Sequence, residues 1–497
     1  MVSNSIGLTS HTMLNAAKNI SAIFCIAAVF IIAGDMVFTF SEYYQTSIDG
    51  DVLPVVFPME SHSQILHDPF GLDALLKGDR YSGAGRWFCH AVVYSLFHEG
   101  YSFITTLVAD RIKALFLTAS IFQWINHWMM TCIIALYANI SHKSSWKRFL
   151  FGCVLTIPFF QYNHGYYNAA IIDHSVTYTA FYAFPLSLLL LFFYPFFRSL
   201  FFPNPLFLSN ISLFGIIFLG ICVAFSGPLI PVIGIMVSGI LLLLYYQKAI
   251  NNESFFEIAS LSSRIKNIPS LVKGMLIPFI IICAYDFYIG RFNIENVTTV
   301  TIAERYQLML KGLIPYFFHY GLPYFYAFLI INFYFFKKFF PVQFNTRSFG
   351  ILKLLALTVL IYIILVPLGG YRVYRPAILR YDVTMPLTLL LVITIVSGTS
   401  LLMDKLQGQA LAAYSGISLV LLAVLWYQNL PINNSRKEQE SMLRILSRAN
   451  TDSVIVLPYS ANFFSWEKIS TPEKSYYVRQ MLYDWGITKK PVVFYQK

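Results

Sequence analysis

Long apolar segments separated by short polar connections dominate this sequence. Runs of roughly 20 apolar residues, the length needed to cross a hydrocarbon layer of about 30 Å, recur as far as residue 428. The segment from Trp87 to Val108 is a borderline additional span that would invert the orientation of everything after it, but its charged and imidazole side chains fit better with a helix in the membrane interface. The pattern predicts an all-α polytopic membrane protein with eleven spans, near residues 19–40, 112–138, 149–163, 175–197, 208–225, 229–247, 274–290, 313–336, 350–368, 383–402 and 409–428.

Composition supports a membrane protein. Hydrophobic residues make up 57% of the chain, charged residues 12%, and the mean hydropathy is +0.62, whereas soluble domains carry roughly a quarter charged residues. The net charge of +11 is dispersed as short basic clusters between the predicted spans. That dispersal is typical of membrane topology, so we expect no nucleic-acid partner. The six cysteines show neither a disulfide framework nor a zinc spacing.

The basic residues also predict the orientation of the chain. If the N-terminus is cytoplasmic, the connections on that side carry fourteen Lys and Arg residues and three acidic residues. The alternate connections hold most of the acids. Because Lys and Arg accumulate on the cytoplasmic side, we expect the N-terminus inside and the C-terminus outside.

Two parts of the chain are predicted. Residues 1–428 form the transmembrane bundle and include a long outer loop, residues 41–111. Residues 429–497 form a small outer α/β domain, in which a helix ("SRKEQESMLRILSRA") and a strand ("SVIVLP") precede a second helix ("STPEKSYYVRQMLYDWG") and a second strand ("PVVFY").

The segment "TSIDGDVLPVVFP" holds an acidic pair, Asp49 and Asp51, after the first span. A carboxylate at the boundary of water and membrane can act as a general base toward a substrate hydroxyl. Two carboxylates one residue apart could also hold a divalent cation, so metal dependence stays open. The structural alternative is an exposed turn at Asp49 and Gly50 whose acids only solvate the loop.

A second candidate is "GGYRVYRPAILRYD", residues 369–382, an outer connection that we name the arginine loop. It interleaves tyrosines with arginines, namely Tyr371, Arg372, Tyr374, Arg375 and Arg380. Outer arginines oppose the positive-inside trend, and guanidinium groups bind phosphate in a bidentate fork. A membrane-lipid phosphate is the expected anion; the alternative is anchoring to ordinary phospholipid headgroups.

Weaker signals lie elsewhere. His164, Asp173 and His174 cluster in "QYNHGYYNAAIIDHS", where they could bind a metal or instead cap helices and line a cavity. Asp35 lies within the first span, where an acid facing the bundle is a functional candidate, and His127 is interpreted as a helix-packing residue. A phosphate-cradling glycine loop, a His-Glu-x-x-His motif and a nucleophile elbow are all absent from the sequence, which disfavours ATP-driven work and zinc or serine hydrolysis.

Together, the acidic pair after span one, the outer arginines between late spans and the outer C-terminal domain resemble the GT-C class of integral-membrane glycosyltransferases, including bacterial enzymes that modify O-antigen in lipopolysaccharide. The resemblance covers the architecture of the whole chain, and its motifs are short. It implies an inner-membrane enzyme of the bacterial cell envelope with its site on the periplasmic side. The donor would be a sugar on a polyprenyl phosphate and the acceptor a surface glycan or a lipid-linked glycan.

The resemblance also implies residue roles. Asp49 or Asp51 would deprotonate the acceptor hydroxyl, and attack from the opposite face would invert the anomeric centre. Arg372, Arg375 and Arg380, with Tyr374, would hold the lipid phosphate, and Tyr371, Asp173 and His174 are additional candidates. Asp49 lies about nine residues past the predicted span, whereas the family's acids often follow the span at once. Either the first helix extends to about Tyr44, or Glu42 is the base.

Two alternatives remain at this point. An O-antigen polymerase or ligase would use the same lipid class and differ in transferring whole repeat units. A transporter of lipid-linked substrates would show charged residues deep in several spans or related halves.

Overall fold

The structure is a computed structural model that consists mainly of α-helices. It describes residues 4–58, 60–142, 145–161, 171–202, 208–227, 229–250, 268–296, 299–319, 322–343, 349–427, 435–449, 453–458 and 463–497. His164, one of the sequence-predicted candidates, lies outside these residues.

Helices occupy each of the predicted spans. The longer ones are Asn4–Tyr44, Arg111–Ala138, Trp146–Gln161, Phe184–Phe201, Asn210–Ala224, Leu229–Ile250, Ser270–Ile289, Ile302–His319, Leu322–Phe339, Phe349–Leu365, Tyr381–Lys405 and Gly408–Tyr427. The shorter ones are Val52–Val56, Glu60–His67, Leu72–Lys77, Trp87–Ser95, Tyr101–Leu107, Val176–Tyr178, Pro341–Gln343, Ser435–Arg448 and Tyr476–Asp484. Single turns of π-helix (Leu96–Gly100, Thr179–Ala183) and of 3₁₀-helix (Gly290–Phe292, Val366–Gly369, Glu473–Ser475) complete the helical elements.

Six helical segments of the described chain are long and apolar enough to cross a membrane: Ile23–Tyr44, Val176–Phe201, Leu229–Gln247, Ser270–Phe292, Tyr381–Lys405 and Gly408–Tyr427. The pair Ile302–Phe318 and Leu322–Phe339 makes a seventh if it is one broken span. The apolar helices Asn210–Ala224 and Leu357–Gly369 are shorter. The chain is thus an all-α, multi-pass membrane protein. Its eleven crossings and the sides on which its termini lie remain predictions.

The first helix ends at Tyr44, so Asp49 follows it by five residues. This is the first of the two alternatives that the sequence left open. Immediately before this end, Tyr43 packs its hydroxyl 3.0 Å from His127 Nδ1. Asp35, which is 2% exposed, accepts a hydrogen bond of 2.5 Å from Gln161 and lies 3.7 Å from His127 Nε2. The intramembrane acid therefore faces the bundle, and His127 connects packed helices.

Aromatic rings fill the bundle core. Phe192 and Phe279 pack with ring centroids 4.3 Å apart, and Phe159 meets Phe325 edge to face at 5.2 Å. All four rings are nearly inaccessible to solvent. Such pairs stabilise helix contacts beyond the area they bury, so the bundle presents a fixed frame to the connections at its ends.

The C-terminal unit, residues 435–497, contains the predicted order of helix, strand, helix and strand. Its strands Ile455–Leu457 and Phe494–Gln496 pair in parallel. The unit shares one hydrophobic core with Val52–Val56, with the start of Arg111–Ala138 and with Val176 and Ala180. It is therefore packed against the acidic-pair segment.

Candidate functional site

A cavity of about 90 Å³, open to its surroundings, lies beside the arginine loop. Its polar lining consists of Arg86, Tyr182, Ser226, Tyr362, Tyr371, Arg372 and Arg375. The rest of the lining is glycine or apolar and includes Phe181, Leu229, Val232, Leu365, Val366, Ile378 and Val383. Three guanidinium groups and an apolar wall thus meet in one space. Arg380, Asp49 and Asp51 are not among the lining residues.

Asp382 binds two of the predicted arginines. It is fully buried at the start of the Tyr381–Lys405 helix. Arg375 Nη2 donates to its Oδ2 at 2.7 Å, and Arg380 donates through Nε to Oδ1 at 2.8 Å and through Nη2 to Oδ2. Burial alone would lower the pKa of Arg375 and Arg380, but contact with Asp382 raises it in each. Both arginines are therefore fixed as cations.

Tyrosines on the Val176–Phe201 segment accept further hydrogen bonds from the same arginines. Arg375 Nη2 also donates to Tyr182 Oη at 2.6 Å, and Arg380 Nη2 donates to Tyr178 Oη at 3.1 Å. The two tyrosines are four residues apart, so they share one helix face. This face connects the arginine loop to the bundle.

Arg372 has its own partners. Its Nη1 pairs with Glu295 and donates to Tyr374 Oη at 2.9 Å. Burial and the like charge of Arg86 lower the pKa of Arg372 to about 10, which still leaves it cationic at neutral pH. The ring of Tyr374 lies 5.9 Å from Arg372 and 5.3 Å from Arg375, within the range of cation–π attraction.

Backbone strain occurs in the arginine loop at Ile378. This buried, β-branched residue has φ of 60°, a left-handed conformation that such residues rarely adopt. The preceding Ala377 carbonyl lies so close to Gly312 that a Cβ there would meet it at 2.5 Å. Strain of this kind persists only where surrounding packing enforces it, and it is concentrated at functional sites.

Arg86 is the cavity arginine that differs from the others. It precedes the Trp87–Ser95 helix, and its stem packs against Gly227, where an added Cβ would meet Arg86 Cγ at 3.0 Å. Within the described parts of the chain its guanidinium has no hydrogen bond and no ion pair. Arg86 therefore presents a cation to the cavity, and its charge also acts on the buried carboxyl group of Asp286.

Asp49 is saturated by hydrogen bonds. Its carboxylate, 9% exposed, accepts from Ser175 Oγ at 2.7 Å, from Thr177 Oγ1 at 2.6 Å and from the Thr177 amide at 3.2 Å. The amide of Asp51 donates to it as well, at 3.0 Å. Asp49 thus ties the acidic-pair segment to the N-terminus of the Val176–Phe201 helix.

Asp51 is placed differently. Trp466 Nε1 donates to its Oδ1 at 2.6 Å, while its Oδ2 accepts no hydrogen bond from any described residue. Burial and the charge of Asp49 raise the pKa of Asp51 to about 6, against the opposing effects of Trp466, Arg380 and Arg86. The cations of the cavity region therefore act on this acid, and its pKa lies near the working range of a general base.

The remaining sequence candidates lie at different places. Asp173 Oδ1 accepts from the Ser175 amide at 2.7 Å, and burial raises the pKa of Asp173 to about 6. The backbone carbonyl of His174 accepts from Gln123 at 2.7 Å. Glu42 is half-buried in the last turn of the first helix, and Tyr371 lines the cavity.

The acidic pair does not fit a divalent cation well. Both oxygens of Asp49 already receive hydrogens from hydroxyl or amide groups, so few lone pairs remain for a metal. In the described part of the chain, no group of three or more His, Cys, Asp or Glu residues is arranged to hold a metal ion.

Sequence reasoning missed Asp382, Arg86 and Trp466. Asp382 closes the quoted arginine segment, two residues after Arg380, so its spacing could have identified it as a partner. Arg86 follows a glycine-rich turn at the start of the interfacial helix. Nothing in the sequence connects Trp466 to Asp51, because 415 residues separate them.

No protein-family model matches the chain, and no curated protein matches its sequence.

Proposed function

We propose that this protein is an inverting GT-C-type membrane glycosyltransferase that moves a sugar from a polyprenyl-phosphate donor to a surface glycan or lipid-linked acceptor. The observation that carries the proposal is the cavity in which Arg86, Arg372 and Arg375 face an apolar wall. A ligand with an anionic head and a hydrocarbon tail matches both surfaces, because guanidinium groups bind phosphate and apolar side chains accept the prenyl chain.

The proposed location is a bacterial inner membrane, with the N-terminus cytoplasmic and the C-terminus and the site periplasmic. The distribution of Lys and Arg over the connections supports this orientation. Eleven crossings agree with it, since an odd number places the two termini on opposite sides.

The proposed reaction is a single displacement. Asp51 Oδ2 accepts the proton of an acceptor hydroxyl as the hydroxyl oxygen attacks the anomeric carbon. The bond between that carbon and the phosphate oxygen breaks, and its electron pair leaves with polyprenyl phosphate. Guanidinium groups stabilise the charge that develops on the departing phosphate. The products are the glycosylated acceptor, polyprenyl phosphate and a proton on Asp51.

Arg86 is the arginine to test first. Arg375 and Arg380 both hold Asp382, so replacing either one disturbs a buried ion cluster. Arg86 makes no ion pair with a described residue, although its charge acts on the buried Asp286, so the unfolding midpoint of the Arg86 variant is measured beside its binding. Arg80, six residues earlier and exposed, is a matched control.

The experiment measures binding of decaprenyl phosphate to the full-length protein in detergent by native mass spectrometry. Decaprenol, inorganic phosphate and phosphatidylglycerol are the comparison ligands. We expect preference for decaprenyl phosphate, and about 10–100-fold weaker binding in Arg86→Gln, as for the loss of one charge-assisted hydrogen bond. Arg80→Gln should bind as the wild type does.

Two results would contradict the proposal. Equal binding of phosphatidylglycerol would indicate a general headgroup anchor, and undiminished binding of decaprenyl phosphate in Arg86→Gln would show that the phosphate does not bind in this cavity.

A further inference from the structure

The C-terminal unit reaches the candidate base directly. Trp466 donates its indole N–H to Asp51, yet 54% of the Trp466 side chain stays exposed. Asp51 Oδ2 accepts no hydrogen bond from any described residue, so an aromatic face and an available carboxylate oxygen lie together at this place.

The backbone at Ser465 and Trp466 packs closely against Gly50, between the two acids of the acidic pair. A Cβ on Gly50 would lie 2.6 Å from the Trp466 amide nitrogen and 2.7 Å from the Ser465 carbonyl carbon. Only glycine permits this approach without a shift of one backbone.

The backbone just before Trp466 is also strained. Phe464 is completely buried and has φ of 52°. Its ring lies edge to face against Trp485 and Phe463, at 6.0 and 5.1 Å. Among the described residues other than glycine, the only two with positive φ are Phe464 and Ile378. Ile378 lies in the arginine loop beside the cavity, and Phe464 lies two residues before Trp466, the residue that contacts Asp51. Strained backbone therefore occurs at both ends of the site.

We propose that Trp466 and Asp51 together form the binding site for the acceptor, and that the acceptor is a carbohydrate. This inference rests on the proposed function and names its second substrate site. The C–H groups of a pyranose ring carry partial positive charge and pack on the negative face of an aromatic ring. A ring stacked on Trp466 brings its hydroxyls toward the free Oδ2 of Asp51, the atom that needs the proton.

The indole N–H has a second effect. Its hydrogen bond lowers the pKa of Asp51 against the larger effect of burial. Removing the N–H while keeping an aromatic ring therefore raises the pKa of Asp51. The two roles of Trp466, ring and donor, can be separated by substitution.

The test uses the full-length protein in nanodiscs and saturation-transfer difference NMR with methyl glycosides of glucose, galactose, mannose and rhamnose. We expect saturation transfer to at least one glycoside in the wild type, and about tenfold weaker binding in Trp466→Ala. Trp466→Phe should keep glycoside binding. Trp146→Ala, at an exposed tryptophan elsewhere on the chain, should behave as the wild type does.

A second measurement distinguishes a role of Trp466 in acceptor binding from a purely structural role. In Trp466→Phe, the acidic limb of the pH profile of sugar transfer should move to higher pH, which loss of packing alone does not cause. Decaprenyl phosphate binding should persist in Trp466→Ala, which shows that the variant is folded.

The inference is overturned if no glycoside shows saturation transfer in the wild type, or if Trp466→Ala binds glycosides unchanged. If the wild type does not bind decaprenyl phosphate, the proposed function is overturned instead, so the two failures are distinguishable.

Discussion

The acid end and the arginine end of the candidate site are organised alike. At the acid end, Asp49 accepts hydrogen bonds from Ser175 and Thr177 on both oxygens, whereas one oxygen of Asp51 accepts none from a described residue. At the arginine end, Arg375 and Arg380 share Asp382, whereas Arg86 makes no ion pair with a described residue. Each end therefore pairs a residue committed to the fold with one available to a ligand.

The comparison shows that the type of a charged residue does not reveal its role. A buried charge must be paired or hydrogen-bonded, because leaving it alone costs several kcal/mol. Residues that satisfy this requirement for each other build the frame. Substituting the committed residues should affect stability most, and substituting the available ones should affect binding or turnover most.

The largest effect on stability is expected for Asp382→Asn. The change leaves two buried guanidinium groups without their carboxylate, which should lower the free energy of unfolding by about 3–5 kcal/mol. Thermal unfolding in detergent measures this, with Asp79→Asn, an exposed acid, as the control. An unchanged midpoint in Asp382→Asn would show that the ion cluster does not hold the arginine loop.

The acidic pair gives the sharpest contrast. Asp51→Asn should lower sugar transfer by about 10²–10⁴-fold, the usual contribution of a general base, and leave the unfolding midpoint unchanged. Asp49→Asn should instead cost about 1–3 kcal/mol of stability, since an amide nitrogen cannot accept the hydrogens that Asp49 now accepts.

Transfer is measured by phosphorus NMR as polyprenyl phosphate released from a panel of polyprenyl-phosphate hexoses. The opposite pattern, with Asp49 controlling turnover and Asp51 controlling stability, would exchange the roles assigned here.

The smallest expected effect is on pH dependence. Burial and Asp49 raise the pKa of Asp51 to about 6, so its basic form increases as the pH rises through that value. Sugar transfer should then increase about tenfold between pH 5 and 7. Burial also raises the pKa of Asp173 to about 6, so Asp173→Asn is the comparison. The increase in activity between pH 5 and 7 should persist in Asp173→Asn. If the residual activity of Asp51→Asn still shows this increase, Asp51 is not the titrating group.

Much of the fold could be predicted from local pattern. Apolar runs of span length predicted helices at the observed places, and the helix and strand signals of the tail predicted its four elements in order. These signals are local, because a helix satisfies its own backbone hydrogen bonds within one segment. The end of the first helix was ambiguous, since the polar residues before Tyr44 allowed either boundary.

The site was only partly predictable. Arg372, Arg375 and Tyr371 line the cavity as their unusual position on the predicted outer face suggested. The pairing of Arg375 and Arg380 with Asp382 could not be predicted, because it depends on how the arginine loop turns. The contact of Trp466 with Asp51 could not be predicted either, because it depends on how the C-terminal unit packs.

The sequence alone determined that this is a helical membrane protein with acids and arginines in its long connections, because hydrocarbon imposes length, apolarity and closed backbone hydrogen bonding on each span. Only the tertiary structure decided which charges neutralise one another and which remain free. That decision depends on burial and on distances of a few ångströms between segments hundreds of residues apart, and no local pattern encodes either quantity.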